Sequence, residues 1–153
     1  MRLYRDTSVL GAMFDEEPPD RKKKTRLFFQ GVRTRKDTLY ISDVVLEEVV
    51  RAPEKLHFSL VRLIKEIRPP LLPESQETLT LAEAYVASHV VPVISRDDAR
   101  HIAIATVAGV EALVSWNFKH MVNLRRRRLV HSVNIRLGYP LIELVSPEEV
   151  LYE

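Results

Sequence analysis

The sequence predicts an α/β fold in which a short, mostly parallel central sheet is packed between helices. Short apolar segments typical of buried strands alternate with longer segments in which apolar residues have helical spacing. The length of 153 residues and the hydrophobic content of 46% suit one core. We therefore expect residues 1–153 to form a single domain.

The first half of the chain contains two predicted strands and four predicted helices. Residues 2–5 form the first strand, and Thr7 or Ser8 would cap the short helix that follows over 9–14. A pair of prolines then breaks the chain before a helix over 20–32. The remaining elements are a strand at 39–41, a helix capped by Ser42 that extends to residue 51, and a helix opened by Pro53 that extends to residue 67.

The second half begins with a proline-rich segment. Three prolines make residues 69–73 a predicted linker, and the next helix covers 74–89, with Thr80 and Glu83 as a capping-box pair. A strongly apolar helix over 97–109 ends at a glycine, which suits the left-handed conformation of a helix end. The last elements are a strand at 112–115, a helix over 117–137 and a strand at 142–145.

The composition excludes several classes of protein. The chain has no Cys, which excludes disulfides, thiolate metal sites and iron–sulfur clusters. Its 4 glycines are scattered singly, so no glycine-rich phosphate loop is present. No apolar run approaches the roughly 20 residues of a membrane span, and the polar start of the sequence leads us to expect no secretory signal. We expect a cytoplasmic protein that does not bind a membrane.

Positive charge is concentrated in two segments, although the formal net charge is only +2. Residues 21–36 contain eight basic side chains and residues 119–136 contain six, and neither segment contains an acid. Two such segments on one domain form either a footprint for a polyanion or two solvated helix faces.

Polar side chains follow the predicted strands at their carboxyl ends. Asp6 follows the first strand, Glu48 lies on the helix after the second, Asp98 lies in the first turn of the apolar helix, and Asn117 follows strand 112–115. Ligands of open parallel sheets bind beyond this edge, and Mg²⁺ prefers oxygen ligands. Carboxylates that share one edge repel each other unless a cation or a proton intervenes, which is the physical argument for a metal site.

Each of these residues also has a purely structural interpretation. Asp6 and Asn117 would serve as helix caps, and Asp98 would complete a capping box with Ser95. Glu48 is adjacent to a second glutamate, and one of the two would simply be solvated. The joint placement of the four residues is what favours a site.

The same residues belong to an ordered set of four motifs. They are Asp6-Thr7-Ser8-Val9-Leu10-Gly11, Ser42 with Glu48 six residues later, Asp98-Ala99-Arg100-His101-Ile102-Ala103-Ile104-Ala105, and Ser115-Trp116-Asn117-Phe118-Lys119-His120. This set spans nearly the whole chain and resembles the motifs of the PIN-domain family. Within that family it is most similar to the VapC-like toxin ribonucleases and their uncharacterised relatives.

The resemblance implies a three-layer α/β/α fold and a metal-dependent endoribonuclease. It implies that Asp6, Glu48 and Asp98 surround Mg²⁺ or Mn²⁺, with Thr7 and Ser115 as polar groups beside them. It further implies a homodimer that acts on RNA, and the regulator of such a toxin would be an antitoxin protein.

Two positions depart from the family pattern. Asn117 stands where many members have a fourth acid, which removes one negative charge and leaves open whether one or two metals bind. Arg5 occupies a position that is usually apolar, where it would pair with a carboxylate or reach a phosphate. The alternative function is therefore a catalytically weak PIN-fold module that binds RNA or a protein.

Other motif residues have roles that the resemblance suggests less directly. Lys119, Arg125 and Arg126 follow the last motif and are expected to lead RNA phosphates to the site. His101 is expected to be structural, and Trp116 is expected to belong to the core or to form a shelf beside the site.

Overall fold

Five parallel strands form one central sheet. The structure is a computed structural model that describes residues 1–16 and 18–151. The strands are β1 (Arg2–Arg5), β2 (Thr38–Ser42), β3 (Leu71–Leu72), β4 (Ala112–Val114) and β5 (Glu143–Val145). Their spatial order is β3-β2-β1-β4-β5, and every neighbouring pair is parallel. The predicted α/β fold is confirmed.

Helices flank the sheet on both faces. They are α1 (Thr7–Gly11), α2 (Pro19–Arg35), α3 (Asp43–Arg51), α4 (Glu54–Ile67), α5 (Gln76–Ala87), α6 (Arg96–Ala108), α7 (Leu124–Leu137) and α8 (Pro147–Leu151). Short 3₁₀ turns at Ala12–Phe14 and Val93–Ser95 extend α1 and precede α6. No helix in the described part of the chain is long and apolar enough to cross a membrane.

The central strand β1 is buried on both of its faces. Leu3, Tyr4 and Arg5 are each 0% exposed, as expected for the middle of a parallel sheet that is covered by helices. The register pairs Leu3 with Leu39 on one side and with Ala112 on the other. The carboxyl ends of β1, β2 and β4 therefore meet at one edge of the sheet.

The helices at this edge begin with polar caps. The Asp6 side chain accepts a hydrogen bond from the Ser8 amide and caps α1, which confirms the interpretation of Asp6 as a helix cap. The prediction that Thr7 or Ser8 is the cap was wrong. Ser42 caps α3 as predicted. Asp6 is the cap because its backbone is extended, which leaves its carboxylate in position to accept from the Ser8 amide, whereas Thr7 and Ser8 already belong to α1.

Three boundaries differ from those predicted. Residues 69–73 contain the edge strand β3, because Ile41 donates its amide to the Pro70 carbonyl and extends the ladder. Residues 117–123 form turns, and Asn123 caps α7 at residue 124. Helix α5 starts with a capping box of Ser75 and Thr78, not of Thr80 and Glu83.

Candidate active site

The four predicted site residues lie at the carboxyl edge of the sheet. Asp6 follows β1, Glu48 lies on α3 after β2, Asp98 lies in the first turn of α6, and Asn117 follows β4. Asp6 is 4% exposed, and the other three are half-buried. Helices α3 and α6 contact each other, α3 also contacts β2 and α6 also contacts β4, and this brings the polar side chains together.

Hydroxyl groups hold the carboxylate of Asp6. Ser8 donates to Oδ1 from its hydroxyl at 2.5 Å and from its amide at 3.1 Å, and the Ser115 hydroxyl donates to Oδ2 at 2.6 Å. Burial raises the pKa of Asp6, and the charge of Glu48 adds to this effect. Sequence reasoning missed Ser8 as a partner of Asp6, although its place in the Asp-Thr-Ser motif is the signal that would have indicated it.

A chain of hydrogen bonds holds Glu48 from the buried side. Thr7 donates its hydroxyl to Oε1 at 2.9 Å, and His101 Nε2 contacts the same oxygen. On the other side of the ring, His101 Nδ1 lies 2.6 Å from the Tyr4 hydroxyl, which is 2.7 Å from Ser42 Oγ. The predicted structural role of His101 agrees with this placement, because both of its nitrogens are bonded within the protein.

The pKa values of Glu48 and His101 shift in opposite directions. Burial raises the pKa of Glu48, but the hydrogen bond and charge of His101 and the hydroxyl of Thr7 lower it below its usual value. Burial lowers the pKa of His101, but the carboxylates of Glu48, Asp6 and Asp98 raise it above its usual value. The pair therefore favours a charged glutamate beside a charged histidine.

Asp98 lies between an amide and an imidazole. Asn117 donates Nδ2 to Asp98 Oδ2 at 3.2 Å, and His120 Nδ1 lies 3.3 Å from the same oxygen. The amide oxygen of Asn117 accepts from the His120 backbone amide at 2.9 Å, which fixes the orientation of the side chain. Asn117 thus presents a donor to the site, and its oxygen is used in the local turn. Burial raises the pKa of Asp98, and the charge of Asp6 adds to the increase.

The neighbouring acids belong to a separate network of ion pairs. Arg100 contacts Glu74 at 2.6 Å, Glu47 at 2.9 Å and Asp97 at 3.0 Å, and Arg51 contacts Asp97 at 2.7 Å. Asp97 and Glu47 are therefore neutralised by arginines. This network separates them in function from Asp98 and Glu48, their neighbours in sequence.

The donor set at the edge fits a hydrated divalent cation. Within residues 1–16 and 18–151, no three acidic or histidine side chains are grouped closely enough to hold one ion together. The charge of Glu48 nevertheless raises the pKa of Asp6, and the charges of Asp6 and Glu48 raise the pKa of Asp98. Mg²⁺ is usually bound by one or two carboxylates and keeps several waters, so these oxygen ligands suit it without a closed cage.

The predicted RNA-contacting residues differ in their surroundings. Lys119 and Arg125 are exposed, whereas Arg126 donates to the carbonyl oxygens of His89 and Val90. Arg126 therefore has backbone partners that compete with a phosphate.

Trp116 is buried in the core beside the site. Its ring nitrogen donates to the Thr25 hydroxyl at 2.9 Å, and the Arg21 guanidinium lies 5.0 Å from the ring centroid. The face of the indole is therefore covered, and the core interpretation of Trp116 agrees with this placement.

Fold and site together define a class of protein. It is an α/β domain whose parallel sheet has one buried and two half-buried carboxylates near the carboxyl ends of its strands. No protein-family model matches the sequence. No curated protein matches it significantly.

The fold is that of VapC-type PIN domains, as the sequence resemblance implied. A chain of VapBC2 from Rickettsia felis, solved bound to a DNA fragment from their promoter, matches with a TM-score of 0.58 and 15% identity over 95% of this chain and 98% of that chain. VapC20 from Mycobacterium tuberculosis, a sarcin-ricin loop cleaving toxin, matches with a TM-score of 0.58 and 14% identity over 77% of this chain and 92% of that chain.

Proposed function

We propose that this protein is a Mg²⁺- or Mn²⁺-dependent endoribonuclease that hydrolyses RNA phosphodiesters. The observation that carries the proposal is the set Asp6, Glu48 and Asp98, three carboxylates on three elements that converge at one sheet edge of a VapC-type fold. Their mutual repulsion is relieved by a cation, and hydrolysis of a phosphodiester uses one.

The three carboxylates would hold the cation, directly or through its waters. When bound, it lowers the pKa of a water and stabilises negative charge on the phosphodiester. The hydroxyls of Ser115 and Thr7 orient Asp6 and Glu48, because each donates to a carboxylate oxygen and restricts its rotation. His101 is a positioning residue, since it contacts Glu48 from inside the core.

The proposal includes partners that act at the protein surface. Lys119 and Arg125 are exposed beside the Asn117 turn and would contact RNA phosphates. Since the two solved structures are a VapBC complex and a VapC toxin, we further propose that this chain is the toxin of a type II toxin–antitoxin pair. It would act as a homodimer and bind a cognate antitoxin.

The test is cleavage of a mixed RNA pool by the purified protein with Mg²⁺, with Mn²⁺ and with EDTA. Asp98→Asn should reduce metal-dependent cleavage by about a hundredfold or more, because it removes a charge that faces the cation. Asp97→Asn is the matched control, since Asp97 is the next residue but is paired with Arg51 and Arg100. Equal cleavage by wild type and Asp98→Asn would contradict this assignment of the site.

One observation favours the second candidate function, an RNA- or protein-binding module with little catalysis. Asn117 presents its amide nitrogen to Asp98 at the position where the resemblance implies a fourth acid. Fluorescence anisotropy with a labelled RNA distinguishes the two functions. A module would hold the RNA with Mn²⁺ present and leave it intact, whereas a nuclease would shorten it.

A further inference from the structure

An arginine is enclosed in the core on the side of the sheet away from the carboxylates. Arg5 is 0% exposed, and none of its three guanidinium nitrogens has a hydrogen-bond partner among the described residues. Its polar group lies 5.2 Å from the centroid of the Phe29 ring, a cation–π contact that leaves the N–H groups unbonded. Buried guanidinium groups are normally paired, so this one needs an explanation.

Arg5 lines a cavity of about 760 Å³ between α2, α4 and the turn that precedes β3. The volume lies within the range of roughly 300–1,000 Å³ that is typical of small-molecule sites. Neighbouring residues of a strand point to opposite faces, so Arg5 and Tyr4 face different sides of the sheet. None of the four candidate active-site residues lines this cavity.

The charge of the cavity wall is positive. Besides Arg5, three arginines line the cavity, together with two acids. The arginines are Arg26, Arg33 and Arg68, and the acids are Asp37 and Glu66. Asp37 is already paired, because the Met1 amino group lies 2.7 Å from Oδ1 and the Arg35 Nε lies 2.8 Å from Oδ2. The net charge of the cavity wall is therefore positive, which favours the binding of an anion.

The rest of the wall is apolar. Phe29, Val32, Leu39 and Leu63 line it together with Pro69 and Pro70. A ligand that fills the cavity therefore has an apolar part as well as a charge. A guanidinium has a planar fork of donors that matches the oxygens of a phosphate or carboxylate, and several arginines around one cavity favour the dianion of a phosphate ester.

We propose that this cavity is a binding site for a small phosphate monoester. Its organic part would pack on the apolar wall, and its phosphate group would bond to Arg5 after the guanidinium turns from the Phe29 ring toward the cavity. The site is independent of the carboxylate edge, because its lining residues lie on the opposite face of the sheet. Its test therefore does not depend on RNA cleavage.

The direct experiment follows the arginine Nε–Hε resonances of the full chain by NMR in EDTA. The probes are phenyl phosphate, inorganic phosphate and phenol, and the Arg5 resonance is assigned by its loss in Arg5→Met. Phenyl phosphate should shift the Arg5 signal saturably and bind about tenfold more tightly than inorganic phosphate, because the ring buries apolar surface. Phenol, which lacks the anion, should leave the signal in place.

Two results would overturn the proposal. If phenyl phosphate leaves the Arg5 resonance unchanged at millimolar concentration, the cavity does not bind such esters. If inorganic phosphate binds as tightly as phenyl phosphate, the apolar wall contributes nothing and the ligand class is wrong. Asp98→Asn should bind phenyl phosphate as the wild type does, which separates this site from the carboxylate edge.

Variants supply a second, independent measurement. Phenyl phosphate should raise the melting temperature of the wild type and of Arg128→Met, an exposed arginine outside the cavity, but not that of Arg5→Met. Arg33→Gln, an exposed position on the cavity wall that is expected to fold normally, should weaken binding severalfold. Unchanged affinity in both cavity variants would place any binding elsewhere on the surface.

Discussion

Tyr4 and Arg5 are neighbours on the central strand, and both are 0% exposed, yet their polar groups are treated in opposite ways. The Tyr4 hydroxyl lies 2.7 Å from Ser42 Oγ and 2.6 Å from His101 Nδ1. The Arg5 guanidinium has no hydrogen-bond partner within residues 1–16 and 18–151. On one face of the strand, buried hydrogen bonds through Tyr4 and His101 hold Glu48. On the other face, the charge of Arg5 has no hydrogen-bonded partner.

The difference shows which face is stabilised by its own contacts. A satisfied buried hydrogen bond stabilises the fold by about 1 kcal/mol, whereas an unpaired buried charge destabilises it by several. Burial lowers the pKa of Arg5 only to about 9, so the group remains charged at neutral pH. The phosphate group of the proposed ligand would supply the partner that Arg5 lacks.

The largest expected effect comes from removing the buried hydrogen bonds on the Tyr4 side of the sheet. His101→Leu removes the partner of both Tyr4 and Glu48 and should lower the free energy of unfolding by about 3 kcal/mol. Urea unfolding followed by circular dichroism measures it. The matched control is His131→Leu, which loses one hydrogen bond to the Ile142 carbonyl and should lose only about 1 kcal/mol. Equal losses of unfolding free energy would mean that the Tyr4–His101–Glu48 chain stabilises the fold no more than a single hydrogen bond.

The next effect has the opposite sign and tests the other face. Arg5→Met removes an unpaired charge, keeps an unbranched apolar stem, and should raise the free energy of unfolding by about 2 kcal/mol in the absence of ligand. The control is Arg127→Met, because Arg127 is bonded to the Leu144 carbonyl at 2.8 Å and to Glu149 at 3.1 Å. Arg127→Met should destabilise the fold. A destabilised Arg5→Met would show that the cation–π contact with Phe29 outweighs the burial of charge.

The two faces also differ in how far the sequence predicts them. Parallel strands end at one edge, so the placement of Asp6 and Asn117 follows from strand order, because both residues come just after strands. The positions of Glu48 and Asp98 and the bond from His101 to Tyr4 also depend on how α3 and α6 pack. Of the two alternatives for Arg5, a carboxylate or a phosphate, the carboxylate was wrong, since the alternation of β1 directs the side chain to the face opposite Tyr4.

Local competition explains the boundaries that the sequence did not predict. The apolar pattern over 117–137 favours one helix, but the Asn117 side chain accepts a bond from the His120 amide and holds a turn instead. Asn123 then starts α7 by accepting from the Arg126 amide at 2.9 Å. Such bonds depend on individual side chains that compete with the helix for backbone groups, which the apolar periodicity does not encode.

A smaller effect is expected when the hydrogen-bond donor that faces Asp98 is replaced by a negative charge. Asn117→Asp replaces the donor that faces Asp98 with a second negative charge and should lower the free energy of unfolding by about 1–2 kcal/mol in EDTA. Mn²⁺ should restore it, because a cation removes the repulsion. Asn123→Asp, which keeps its capping oxygen, should show no such dependence on Mn²⁺. Equal responses of the two variants to Mn²⁺ would contradict a cation site at the carboxylate edge.

The smallest effect is a change of stability with pH, and its sign follows from the direction of each pKa shift. His101 has a raised pKa in the fold, so its stabilising contribution is complete below 6.5, the ordinary value, and is lost as the pH rises through the folded value. Asp6 and Asp98 also have raised pKa values, so their contributions are lost in the same direction. Glu48 has a lowered pKa and opposes this trend only in acid, below its ordinary value of 4.5.

The metal-free protein should therefore become less stable as the pH rises above 6.5, the ordinary pKa of His101, by at most about 1.4 kcal/mol per pH unit for each proton lost. Melting temperatures in EDTA across this range measure the slope. His101→Gln keeps a hydrogen-bonding side chain but cannot titrate, so it should reduce the slope, whereas Tyr4→Phe should lower stability with the slope retained. If His101→Gln keeps the full slope, the pH response arises elsewhere, and the charged pair of His101 and Glu48 is not what distinguishes the two faces of β1.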